Sequence, residues 1–138
     1  MYTFHKFTCK DFLDYFFDKG LGDICTLTMQ ALEKDACYQD DAWTTWYTVD
    51  DPYSIEDGPI AVIGERTADN DYGESHISIF EVVPCYQGQG LGTSILREFI
   101  DEYCKNKVTL YAEPKNVNFY KFIGFQDSGN ENEYIFQK

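Results

Sequence analysis

The segment Val82-Val83-Pro84-Cys85-Tyr86-Gln87-Gly88-Gln89-Gly90-Leu91-Gly92 constrains this chain more than any other. Ser75–Val83 leads into it with strand-forming residues that are apolar on both faces near the end, which predicts a central strand covered on both sides. After it, Leu91, Ile95, Leu96, Phe99, Ile100 and Tyr103 recur at helical spacing and make one apolar stripe. A strand that enters a helix through Gly88, Gly90 and Gly92 leaves backbone N–H groups converging at the helix start, where an anion can approach closely. Such a loop can cradle a pyrophosphate with amides alone. It lacks the G-x-G-x-x-G of dinucleotide folds and the Gly-Lys-Ser/Thr of Walker loops. Read by itself, it is equally a tight strand-to-helix turn that holds nothing.

The remaining chain alternates strands and helices. Tyr2–Phe7 reads as a strand. Thr8-Cys9-Lys10-Asp11 resembles a capping box opening a helix with Phe12, Leu13, Phe16 and Phe17 on one face, ended by Gly20. A second helix is expected over about Thr28–Tyr38, then strands over Ala42–Val49 and Ile60–Arg66, with turns at Asp50–Gly58 and Asp69–Gly73. Simple alternation in Ser75–Val83 puts Ile77 and Ile79 on one face, Phe80 and Val82 on the other, and Glu81 opposite His76. Val108–Ala112 is a short strand, Asn116–Ile123 a short helix, and Phe125–Asp127 with Tyr134–Gln137 a closing hairpin. The order is strand, two helices, three strands, helix, strand, helix, two strands: an α/β domain with a mixed sheet. At 138 residues, the chain is expected to be a single domain over 1–138.

Composition narrows the partners. The net charge is -13, and residues 1–81 hold 17 acids against 5 bases. Such a surface repels phosphates, so no nucleic-acid partner is expected. It is either a solubility device or an attraction for a cationic partner. No apolar run is long enough to span a bilayer, and Met1–Lys6 has neither the apolar stretch nor the cleavage site of a secretory leader, so a cytoplasmic protein without a membrane partner is expected. The five cysteines are widely spaced, without a CxxC pair. They read as reduced, mostly buried thiols, and no metal is expected. The aromatics Trp43, Trp46 and Tyr47 fit either a core or a dimer face, leaving monomer and homodimer open.

Two motifs together carry a family resemblance. Gln87-x-x-Gly90-x-Gly92 matches the Gln/Arg-x-x-Gly-x-Gly/Ala signature of the GNAT N-acetyltransferases, and Val82-x-Pro84 before it is also similar. Downstream, Phe119-Tyr120-Lys121-Phe122-Ile123-Gly124-Phe125 looks like the family's Phe-Tyr-x-x-x-Gly-Phe segment, one helix and one strand away. The resemblance is firm over about residues 75–126. It implies a mostly antiparallel, twisted sheet flanked by helices, with two central strands splayed after Val83 and around Val108–Ala112. It implies acetyl-CoA as acyl donor, with Gln87, Gly88, Gln89, Gly90, Leu91, Gly92 and Thr93 at the pyrophosphate. Val82 and Val83 would offer backbone groups to the pantetheine arm, with Asn116, Phe119 and Tyr120 completing the contacts. Two departures stand out. Gln87 and Gln89 replace the Arg and Lys of many relatives, so the loop relies on amides and the helix dipole. Glu113 stands where many relatives have Asn, with Asn116 and Asn118 nearer the tyrosine.

The implied activity is transfer of the acetyl group to a primary amine, such as one on a cationic small molecule or peptide, by direct attack in a ternary complex. That reaction needs a base for the amine, donors for the oxyanion and a proton for the leaving thiolate. The resemblance points Tyr120 at the coenzyme sulfur as the acid and makes the Val83 amide an oxyanion donor. His76 lies eleven positions before Gln87, where some relatives place a catalytic glutamate, and it titrates near neutrality. Glu81 and Glu74 are alternative bases on the same strand, and a water chain is another route for the proton. Cys85 reads as structural or incidental. The alternative function is a non-catalytic acyl-CoA-binding or interaction domain of the same fold.

Overall fold

The computed structural model describes residues 1–34, 44–53, 58–66 and 74–138. Seven strands form one sheet: β1 Thr3–Phe7, β2 Thr44–Asp50, β3 Ala61–Arg66, β4 Glu74–Val82, β5 Lys107–Tyr111, β6 Gln126–Asp127 and β7 Glu133–Gln137. Four α-helices accompany them: α1 Cys9–Asp18, α2 Thr26–Lys34, α3 Leu91–Tyr103 and α4 Val117–Ile123. The element order is the expected one. Spatially the strands run β1-β2-β3-β4-β5-β7-β6, antiparallel throughout except where β4 meets β5.

Local chemistry sets the helix ends. The Thr8 side chain accepts a hydrogen bond from the Asp11 N–H at 3.2 Å, capping α1 as its sequence suggested. Phe12 and Phe16 are then fully buried, with Phe12 stacked on Trp46 at 4.5 Å between ring centroids. α3 buries Ile95, Leu96, Phe99 and Ile100. The two sheet faces carry separate cores. One joins Ile63, Ile77, Val108 and Leu110 to α3 and α4; the other joins Trp46 and Val62 to α1 and α2. Trp46 and Tyr47 are therefore core residues, whereas Trp43 lies outside the described residues. So do the end of the second expected helix beyond residue 34 and the expected turn at Asp69–Gly73.

Simple alternation fails in β4. Glu65 pairs with Ile77 but the preceding Gly64 pairs with Ile79, so Ser78 is an extra residue in a β-bulge. The bulge inverts the faces beyond it. Ile77, Phe80 and Val82 share the α3 side, whereas His76, Ile79 and Glu81 share the α2 side, correcting the expected placement of Ile79 and Glu81. Gly64 is required here, since a Cβ would lie 2.9 Å from Ile79 Cγ2 and 3.2 Å from Trp46 Cζ3.

The bulge sits where the sheet opens. The parallel register of β4 with β5 ends at Ile77↔Leu110, yet β4 continues to Val82. Past that point the two strands diverge, leaving a cleft in the middle of the sheet.

Among the thiols, Cys25, Cys85 and Cys104 are free. Cys9 is disulfide-bonded, which corrects the expectation of five thiols. No described helix is long and apolar enough to cross a membrane.

Candidate active site

The glycine loop fills the step from β4 to α3. Pro84–Tyr86 makes one 3-10 turn, then Gly88 and Gly90 adopt φ of +79° and +75°. Side chains are strained in that region, and glycine is not. Gly90 precedes α3 without a side-chain cap, and no acid occupies the first turn of the helix. Its N-terminal N–H groups and the positive end of its dipole are thus left for an external anion.

A cavity of about 490 Å³ opens over this loop and runs to the sheet cleft. Gln87, Gly88, Gly90, Leu91, Gly92 and Thr93 line one end of it. Phe80, Glu81 and Val82 line its β4 side, and Asn116, Phe119 and Tyr120 face them from α4 and the turn before it. Phe80 and Phe119 stack with ring centroids 6.3 Å apart.

The two glutamine side chains fold back on their own segment. Gln87 Nε2 donates to the Val82 carbonyl at 2.9 Å, and Gln89 Nε2 reaches the Cys85 carbonyl at 3.4 Å. Gln89 does not line the cavity.

Val83 requires a correction. Its N–H donates to Ile60 O at 2.8 Å, and its carbonyl accepts from Tyr86 N at 2.8 Å. Both backbone groups already have partners within the fold, so the N–H expected to meet the oxyanion is engaged with Ile60 in this structure. Strand alternation then turns the N–H and C=O of Val82 away from β3, toward the cleft.

Tyr120 lies against Phe119 and Phe125, with centroids at 5.1 and 5.8 Å. Its hydroxyl makes no hydrogen bond among the described residues. Burial pushes its pKa up to about 12. A phenol so held remains protonated at neutral pH and can donate, not abstract, a proton.

The other two catalytic candidates separate. The Glu81 carboxylate is buried and accepts from Thr28 N at 2.8 Å, Thr28 Oγ1 at 2.6 Å and Leu27 N at 3.2 Å. It caps the start of α2 from across the sheet. His76 instead borders a second cavity of about 320 Å³, together with Leu27, Gln30, Thr44, Arg66, Ser78 and Tyr111. Its Nδ1 lies 2.8 Å from Thr109 Oγ1, and its ring meets Tyr111 edge-on at 5.4 Å. Although they share a face, His76 and Glu81 are five positions apart on β4, roughly 15 Å, and cannot serve one proton. Glu74 pairs with Lys107 at 3.1 Å and borders neither cavity.

Sequence reasoning missed Leu27, Tyr86 and Lys115. Lys115 brings a cation to the cavity that the loop itself lacks, and pairs with the exposed Glu113 at 3.6 Å. Its approach depends on the turn Pro114–Asn116, which no local pattern ties to the glycine loop. Among the described residues no cluster of His, Cys, Asp or Glu could hold a metal.

A family model described as an acetyltransferase (GNAT) domain matches residues 53–135. The chain belongs to the GNAT acetyltransferase family. Among curated proteins it is similar to "Uncharacterized N-acetyltransferase ycf52" of Gracilaria tenuistipitata var. liui, 43% identical over 53 residues, covering 35% of this chain and 29% of that protein. The protein of the same name from Pyropia yezoensis is 35% identical over 75 residues, covering 51% and 42%. The matches thus span less than half the length of these GNAT relatives. Among solved structures, AtaTR bound with AcCoA superposes with a TM-score of 0.66 at 16% identity, over 99% of this chain and 92% of that one. Mutant forms of the spermidine/spermine N-acetyltransferase SpeG from Vibrio cholerae give 0.64 at 13% identity, over 99% and 95%. At such identities the structural likeness establishes the GNAT fold, including the mixed seven-stranded sheet.

Proposed function

We propose that this chain is an acetyl-CoA-dependent N-acetyltransferase that acetylates a primary amine by direct attack in a ternary complex. The observation that carries this reading is the continuity of one cavity, from the uncapped start of α3 along the free edge of β4 to Tyr120, with a second cavity beyond the cleft.

The amides of Gly88–Thr93 take the coenzyme pyrophosphate, aided by the Lys115 ammonium, and Asn116 borders the same space. The pantetheine pairs with the Val82 backbone, displacing the Gln87 side chain from the Val82 carbonyl. The thioester then reaches the cleft. The acceptor enters from the second cavity, and its ammonium gives a proton to water, which a water chain relays to His76 at the far end of that cavity. The amine nitrogen bonds to the carbonyl carbon, and the Val82 N–H is aimed toward the oxyanion that forms. The C–S bond breaks, the thiolate takes the Tyr120 proton, and the second proton on the nitrogen leaves through solvent to restore the Tyr120 phenol, giving the neutral amide.

The charge of -13 favours cationic acceptors such as a polyamine, an aminoglycoside or a lysine-bearing peptide. The test is thiol release from acetyl-CoA across a panel of amines at two salt concentrations. Turnover is expected on one amine class, with the acceptor KM rising several-fold in high salt for multivalent cations. A KM indifferent to salt removes the cationic assignment. Saturable coenzyme binding with no release on any amine replaces the enzyme by a non-catalytic acyl-CoA-binding module.

A further inference from the structure

We infer that Leu27 sets the length of the acyl chain that the site accepts; the inference rests on the acyl-CoA seat proposed above. Leu27 borders both the coenzyme cavity and the second cavity across the cleft. It therefore stands where the two cavities adjoin, on the way from the proposed thioester position into the second cavity.

Its backbone is not free to move aside. Leu27 is the second residue of α2, and its N–H donates to Glu81 Oε2 at 3.2 Å. The next residue fastens the same turn to Glu81 Oε1 through Thr28 N and Thr28 Oγ1, at 2.8 and 2.6 Å. Glu81 itself is buried on β4, one position before Val82. The start of α2 is thus pinned to the strand along which the pantetheine lies, and Glu81 acts as a positioning residue.

The side chain is a different matter, since Leu27 remains 39% exposed. A partly exposed leucine on a fixed backbone walls a passage without holding up a core. Shortening it changes the passage and leaves the fold intact. An acetyl group ends at its methyl; butyryl adds two methylenes in the direction of Leu27. Leu27→Ala removes three carbons at that place, enough to admit them, and Leu27→Phe narrows it. Discrimination of a methylene by a close apolar wall is worth on the order of tenfold.

The test measures calorimetric affinities for CoA, acetyl-CoA and butyryl-CoA in wild type, Leu27→Ala and Leu27→Phe, with thermal melts to confirm folding. Wild type is expected to bind acetyl-CoA about tenfold tighter than butyryl-CoA. In Leu27→Ala the ratio should fall to near one, in Leu27→Phe it should widen, and affinity for CoA itself should change little in either. The same acetyl-to-butyryl ratio in all three proteins overturns the inference while leaving the coenzyme reading intact. Failure of wild type to bind even CoA defeats the coenzyme reading, and the inference with it.

Discussion

Tyr120 shows how far one side chain's environment decides its chemistry. Its burial favours the neutral phenol, and Tyr47, buried on β2 near Glu65, is likewise pushed up to about 12. Both pKa values are raised in the folded state, so their contribution is fully present below pH 10. It is lost as pH rises from 10 through 12, roughly 2 kcal/mol for each. The thiols of Cys25 and Cys104, also raised to about 12 by burial, add the same sign from about pH 9 upward. Melting temperature followed from pH 7 to 12 should be level at first and then fall steeply above about pH 9. A melt unchanged at pH 11 would contradict the burial of these groups. At this scale the sequence was informative where a motif fixes the residue, as with Gly90, Gly92 and Tyr120. It was uninformative about Val83, because the commitment of its N–H to Ile60 depends on which way one peptide faces in a sheet.

Elements obey the same logic at longer range. The order of strands and helices was legible because hydrophobic periodicity and caps are local, and the Thr8 cap is where the sequence put it. The Ser78 bulge was not legible. One inserted residue leaves no composition signal, yet it reverses every side chain after it and moves Glu81 to the α2 face. That reversal brings the Glu81 carboxylate to the start of α2, where it accepts from Leu27 and Thr28. Glu65, on β3 beside the bulge, carries a cost of its own: it is buried, and desolvation raises its pKa despite the lowering influence of Lys6 and Ser75. A raised carboxylate contributes its stability below its unfolded pKa and loses it as pH climbs. Glu65→Gln should therefore raise the melting temperature at pH 7 by a few degrees and by less at pH 4. Destabilisation at pH 7 would mean that the ionised carboxylate is a net stabilising partner there.

At the scale of the whole molecule, the two cavities that meet at Leu27 lie along a divided sheet. The parallel contact between β4 and β5 stops short, and the gap lies between the uncapped start of α3 and the cavity at His76. Acidic charge is concentrated in residues 1–81, which supply α2 and most of the second cavity; the glycine loop lies in the near-neutral remainder. Under the proposed function, an anionic coenzyme and a cationic acceptor approach different parts of one surface without competing. The central claim is that Tyr120 protonates a thiolate leaving from a coenzyme that the loop holds independently. Its most direct measurement compares wild type with Tyr120→Phe in thiol release from acetyl-CoA, with the coenzyme Kd measured in parallel. The account expects kcat to fall about 100-fold or more while Kd shifts less than about threefold. Equal turnover in the two proteins, or a loss of rate wholly explained by lost coenzyme binding, would contradict it.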